Sequence, residues 1–152
     1  MRTLVLAVGT LLATMGFAAV AVADDAADKK DKEKLQGTWM AVSGEKEGKD
    51  DAEAKEHALV FEGDKFSVKR GNDVIVRGTF KINASKSPKT MDMEITEGPD
   101  DVKAKTAQAI YELKGDELTW CVAHPGEAER PEKFATKEGV KQILVKFKHE
   151  KK

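Results

Sequence analysis

Residues 35–43 read Leu-Gln-Gly-Thr-Trp-Met-Ala-Val-Ser, and an apolar pattern starts there, directly after a densely charged run. The chain has only two tryptophans, so Trp39, two residues after Gly37 at the head of that pattern, needs a physical reason. From Gly37 onward the apolar residues recur at every second position, not every 3.6. Trp39, Ala41 and Ser43 fall on one face of an extended segment, because successive residues of a strand point to opposite faces. Leu59 with Phe61 and Phe66 with Val68 follow, then Val74, Val76, Phe80 and Ile82 alternating with Arg77, Thr79 and Lys81. Met91, Met93 and Ile95 alternate with Asp92, Glu94 and Thr96, and Ala107, Ala109, Tyr111 and Leu113 with Gln108 and Glu112. Leu118, Trp120 and Val122 come next, and Ile143, Val145 and Phe147 alternate with Lys146 and Lys148. Each segment offers one apolar face and one mostly wet face.

The connectors suit tight antiparallel turns: Gly63-Asp64, Gly71-Asn72-Asp73 and Gly115-Asp116. Glycine accepts positive φ, and Asn or Asp tolerates it while bonding nearby backbone. Pro88 and Pro99 fall at segment boundaries, and Gly78 interrupts a strand pattern, as at a bulge or sharp bend. About eight such strands admit a closed barrel or a two-sheet sandwich. Sequential hairpins favour the barrel, and closure removes exposed strand edges. The expected fold is therefore all-β, an antiparallel up-and-down barrel of about eight strands, preceded by a short helical turn at 32–35. Two longer connectors stand out: 44–56, with room for a short helix at 51–56, and 124–139 before the last strand.

The flanks set the domain limits. Arg2, an uncharged apolar run over 4–22 and the small-x-small pattern Ala21-Val22-Ala23 before Asp24-Asp25 read as a secretory signal peptide over 1–23. The alternative is a retained anchor, since the run approaches the ~20 residues that span a bilayer. No cysteine lies near the cut, which argues against a lipid anchor. Residues 24–33, charged and poor in bulky apolar groups, read as a mobile tail. The barrel domain then occupies 34–149. Exported, the chain would be periplasmic or extracellular and free of the membrane after cleavage. With 26 basic and 27 acidic residues it lacks the positive field that nucleic acid or anionic lipid requires. Its one cysteine, Cys121, cannot form a disulfide within the chain, so stability must come from the core; Cys121 is expected as a small buried or half-buried residue, facing in or out, since both strand faces beside it carry apolar groups.

A Gly-x-Trp on the first strand resembles the signature of lipocalins and related calycin barrels. That resemblance implies a Trp packed across the closed end, with a basic side chain from near the last strand over its ring. Lys146 or Lys148 would stand where lipocalins usually carry Arg. It also implies that the 44–56 connector forms a lid over the open end. A closer likeness covers about 34–148 and is to an uncharacterised domain abundant in secreted planctomycete proteins. It rests on the 35–39 stretch, Phe61-Glu62-Gly63-Asp64, Gly78-Thr79-Phe80, Pro88-Lys89-Thr90-Met91-Asp92, Ile110-Tyr111, Gly115-Asp116, Cys121, Pro125-Gly126, Arg130-Pro131 and Phe134. Asn83 departs from it, standing where an aspartate is expected. That family implies a fold and a compartment, and no activity.

Catalytic chemistry is not encoded in any recognisable constellation. His57, His124 and His149 have no zinc-ligand spacing and read as solvated. Cys121 and His124, three apart on a strand, point to opposite faces. Asp92 and Glu94 share the wet face of one strand and read as ordinary carboxylates. Arg130, before a proline in the long loop, is expected to pair with Asp92 or another strand acid and pin the loop across a barrel end. Asn83-Ala84-Ser85 has the glycosylation pattern, which in a bacterial protein reads as chance. No metal or other cofactor is implied.

What remains is the barrel interior. Small barrels are filled by side chains or hold one small ligand. The large aromatics argue for filling; Ala41, Gly78, Ala107 and Ala109 argue for room. The expected function is a secreted, non-enzymatic lipocalin-like module for a small hydrophobic ligand. Trp39, Phe66, Phe80, Met91, Met93, Tyr111 and Trp120 would line its site, with the Tyr111 hydroxyl or Ser43 as polar contact. The alternative is a structural or protein-interaction domain of the cell envelope with a solid core, its outer face and long loops meeting an envelope partner.

Overall fold

A computed structural model describes residues 18–150. The expected leader, 1–23, lies for the most part outside them. The chain runs α1 (Ala18–Leu35), β1 (Gly37–Lys46), β2 (Lys49–Asp50), a 3-10 turn (Ala52–Glu56), β3 (His57–Glu62), β4 (Lys65–Arg70) and β5 (Asp73–Asn83). Next come β6 (Lys89–Glu97), β7 (Thr106–Lys114), β8 (Glu117–Ala123) and β9 (Gln142–His149). Every pairing is antiparallel between neighbours, and β1 also pairs β9, so eight strands close into an up-and-down barrel with the two-residue β2 as a side hairpin. The alternation read from the sequence is the inside–outside alternation of this wall. Trp39, Leu59, Phe61, Phe66, Phe80, Met91, Met93, Ala109, Tyr111, Leu118, Val145 and Phe147 are all buried in one interior cluster.

Three bulges shape the wall. Register shifts fall between Ala41 and Ser43, between Val68 and Lys69 against β5, and between Arg77 and Gly78 against β6. The extra residues are Val42 and Ile75, two of the three large apolar side chains left exposed among the described residues, and Thr96. An extra residue flips the faces beyond it. Gly78 sits at its bulge because a Cβ there would overlap the Glu94 carbonyl and meet the Phe66 ring at 2.8 Å.

The segment 24–33 is not a loose tail, and the expected helical turn is only the end of α1. Ala, Lys and Glu favour helix, no Gly or Pro interrupts, and Lys32 and Lys34 lie in the last turn, where cations complement the helix dipole. Asp28, Asp31 and Leu35 recur at helical spacing and share the face turned to the barrel. Leu35 is fully buried. Asp31 accepts from the Tyr111 hydroxyl at 2.9 Å and from Lys89 Nζ at 2.8 Å, and Asp28 accepts from the Ala84 N–H. Lys32 pairs with Asp64, and Gln36 both accepts from and donates to the Gly63 backbone. The helix is a plug tied to one end of the barrel by polar contacts.

Candidate functional site

The two ends of the barrel differ, and the difference defines the site. At the plugged end Trp39 is buried and donates its indole N–H to the Leu35 carbonyl at 2.8 Å, locking strand to helix. The ring over Trp39 is His149, at 4.6 Å between centroids, with its Nε2 3.0 Å from the Gln36 carbonyl oxygen. Neither Lys146 nor Lys148 takes that place. Both are exposed, because Val145, Phe147 and His149 share the inward parity and the lysines the outward one. His149 is therefore half-buried, not a solvated tail residue. It also explains Gly37, whose φ is +112° and whose Cβ would lie 2.8 Å from His149 Nε2. Above this layer Phe61 meets Phe80 edge-on at 4.8 Å. Half of the barrel is filled.

Toward the other end the interior opens into a chamber of about 420 Å³. Its walls are Phe66, Val68, Val76, Met93, Ile95, Ala107, Trp120, Val122 and Ile143. Its rim carries Lys46, Glu47, His124, Pro125, Lys141 and Gln142. At about 30 Å³ per water this is room for roughly a dozen waters, within the usual size of small-molecule sites. Of the seven lining residues expected from sequence, the chamber brings together Phe66, Met93 and Trp120. Trp39, Phe80, Met91 and Tyr111 are packed instead in the filled half, which α1 closes from below.

Neither expected polar contact lies at the chamber. The Tyr111 hydroxyl is held by Asp31 at the plug, and burial first, then that bond, pushes its pKa above the usual phenol value. Ser43 lies beyond the Val42 bulge, pairs with Lys146 and is exposed. The polar group that sequence reasoning passed over is the indole N–H of Trp120. It is buried and has no hydrogen-bond partner among the described residues. Nothing in the sequence distinguishes it from the paired N–H of Trp39.

The expected lid does not come from 44–56. Residues up to Lys46 extend β1, and the turn Ala52–Glu56, capped by Asp51 accepting from the Glu53 N–H, packs Ala54 into the wall beside Gly44. It fills the gap where β1 has parted from β3, whose pairing stops at Met40–Ala58. The rim is shaped instead by both ends of the 124–141 loop. Thr136 ties that loop to β1, donating to Glu45 at 2.8 Å and accepting from the Gly48 N–H at 2.9 Å. Arg130 donates to Asp92, as expected, and also to the carbonyls of Met91 and Ala109, facing residues of β6 and β7. It pins the loop along the outer wall, not across an end. Beneath the loop, Ile110, Cys121 and Leu144 form an outer cluster with Phe134. Cys121 thus faces outward yet is wholly covered, and burial raises its thiol pKa.

A groove of about 920 Å³ lies between this loop and the β5–β6 turn, with charges of both signs at Lys86, Glu129, Glu132, Lys133 and Lys137. His124 is exposed at the chamber rim, apart from Cys121 under the loop, and His57 lies 3.0 Å from the Glu53 carbonyl oxygen. Among the described residues no group of three or more His, Cys, Asp or Glu is placed to hold a metal, and no helix is long and apolar enough to cross a membrane. The chain matches no family model and no curated protein.

Proposed function

We propose that the protein is an exported, non-enzymatic binding module of lipocalin-like design, related to the planctomycete secreted domain, that holds a small apolar molecule in the open half of its barrel. The observation that carries this reading is the apolar chamber of about 420 Å³ beside a filled, plugged half. Close packing is the norm in protein interiors, and a void loses dispersion contacts along its whole lining. A chamber this size, walled by apolar side chains and reached through a charged rim, is the arrangement that burial of a ligand would stabilise. Met93 adds an unbranched, adaptable wall. Taking one non-hydrogen atom to need about a water's share of volume, the occupant has roughly a dozen of them.

The test is to fill the chamber from the protein side. Ala107 is buried on the wall. Ala107→Leu should weaken binding of a small apolar fluorescent probe at least tenfold, while leaving stability unchanged or raised, since the added methylenes enter free space. Undiminished probe binding, or no saturable binding by the unmodified protein, refutes the reading. The alternative, an envelope interaction domain, draws on the mixed-charge groove under the 124–141 loop. A protein that takes no apolar probe, yet holds a defined protein partner that is lost on shortening 126–139, would favour it.

A further inference from the structure

Trp120 carries an observation that the apolar chamber alone does not explain. Its ring faces the interior, with Phe147 at 5.9 Å between centroids, and lines the chamber with Met93 and Ile143. Its N–H is shielded from water and has no acceptor among the described residues. A buried donor without an acceptor carries its full desolvation penalty. The interior side chains around it are hydrocarbon or thioether, and the Tyr111 oxygen is engaged at the plug. No described residue supplies the acceptor, and the chamber that Trp120 lines is the opening through which one can come.

We propose that the ligand is an apolar molecule bearing one hydrogen-bond acceptor, of the class of a ketone, ester or lactone, and that the Trp120 indole N–H reads that acceptor. This rests on the binding reading above and narrows it. A pure hydrocarbon would fill the same space but leave the donor unpaired, and a site with a buried polar group rejects the analogue that cannot satisfy it. Because neighbours cover the N–H, the acceptor meets it only when the indole turns or the chamber wall gives way, and Met93 on that wall has an unbranched chain that yields easily. Trp39 provides a built-in comparison, since its N–H is already bonded to the Leu35 carbonyl.

The experiment uses two probes of similar shape, valerophenone and pentylbenzene, with the indole N–H signals of the ¹⁵N-labelled protein observed by NMR. The ketone should move the Trp120 N–H proton downfield, the hydrocarbon should not, and the Trp39 signal should stay in place with both. In Trp120→Phe, which keeps an aromatic ring, the preference for ketone over hydrocarbon should fall roughly three- to tenfold, the usual worth of one hydrogen bond. Binding of both probes with a stationary Trp120 signal and an unchanged preference in Trp120→Phe overturns this inference alone. Failure of both probes to bind overturns the chamber reading and the inference with it.

Discussion

Replacing Asp31 tests whether α1 is a structural plug. The carboxylate is buried, at 5% exposure, and holds the hydroxyl of Tyr111, itself 1% exposed. In Asp31→Ala that hydroxyl loses its acceptor in a place water does not reach, at a cost of about 1–3 kcal/mol. The Lys89 ammonium is more than a third exposed and recovers solvent, so its bond adds less than about 1 kcal/mol. The sum is about 1–4 kcal/mol, measured as a lower urea midpoint with an unchanged slope. Tyr111→Phe removes the hydroxyl itself and leaves Asp31 its bond to Lys89, so it should cost about 1 kcal/mol. The double variant should then be less destabilised than the sum of the two by about 1 kcal/mol. High pH gives an independent check. Burial and Asp31 raise the Tyr111 pKa above its ordinary 10.0, so the folded chain keeps a proton that the unfolded chain releases. The contribution is complete below pH 10 and lost as pH rises beyond it, at up to about 1.4 kcal/mol per pH unit. The chain has one tyrosine, so tyrosinate absorbance should appear only with unfolding, and this part of the slope should vanish in Tyr111→Phe. A cost below about 0.5 kcal/mol for Asp31→Ala, or tyrosinate formed in the folded protein near pH 10, would refute the plug.

Arg130→Ala removes three bonds that hold the 124–141 loop, and should lower stability by about 1–2 kcal/mol, given the half-exposed Asp92 partner. Cys121, fully covered by that loop, should be inert to a thiol reagent in the unmodified protein and react at least several-fold faster in the variant; equal rates would show that Arg130 holds nothing down. Gly78→Ala puts a Cβ onto the Glu94 carbonyl and should cost more than about 3 kcal/mol, read by thermal or urea unfolding, whereas a mild effect would mean the bulge can move. Thr136→Val keeps the shape but breaks the hydroxyl's bonds to Glu45 and Gly48, leaving only the long backbone N–H bond to Glu45, for about 1–2 kcal/mol of stability and faster uptake of an apolar probe by stopped flow. Unchanged uptake would mean the rim does not govern entry.

The barrel was legible because a strand's period of two is written directly into Met91, Met93 and Ile95 or Val145 and Phe147. Extending that parity by one step also places His149 beside Trp39, though a search for a basic stacking partner looks to the lysines first. Ser43 was misplaced because one bulge at Val42 reverses a face, and a bulge without glycine leaves no mark in composition. The plug helix was hidden for another reason. Its barrel-facing stripe is half-buried Asp28 with buried Asp31 and Leu35, so hydrophobic periodicity finds one apolar residue among charges. The split between a filled and a hollow half depends on which end the helix covers, and no single strand records that. Cys121 was ambiguous because both faces of β8 are apolar, one turned to the interior and one to the loop.

The hollow half can be located by light. A small brominated alkylbenzene quenches indole emission at contact, and the two tryptophans stand in opposite halves of the barrel. Titrated into Trp39→Phe and Trp120→Phe, each first verified as folded, it should quench Trp120 saturably and leave Trp39 untouched. Equal quenching of both, or none that saturates, would contradict a chamber confined to the open end.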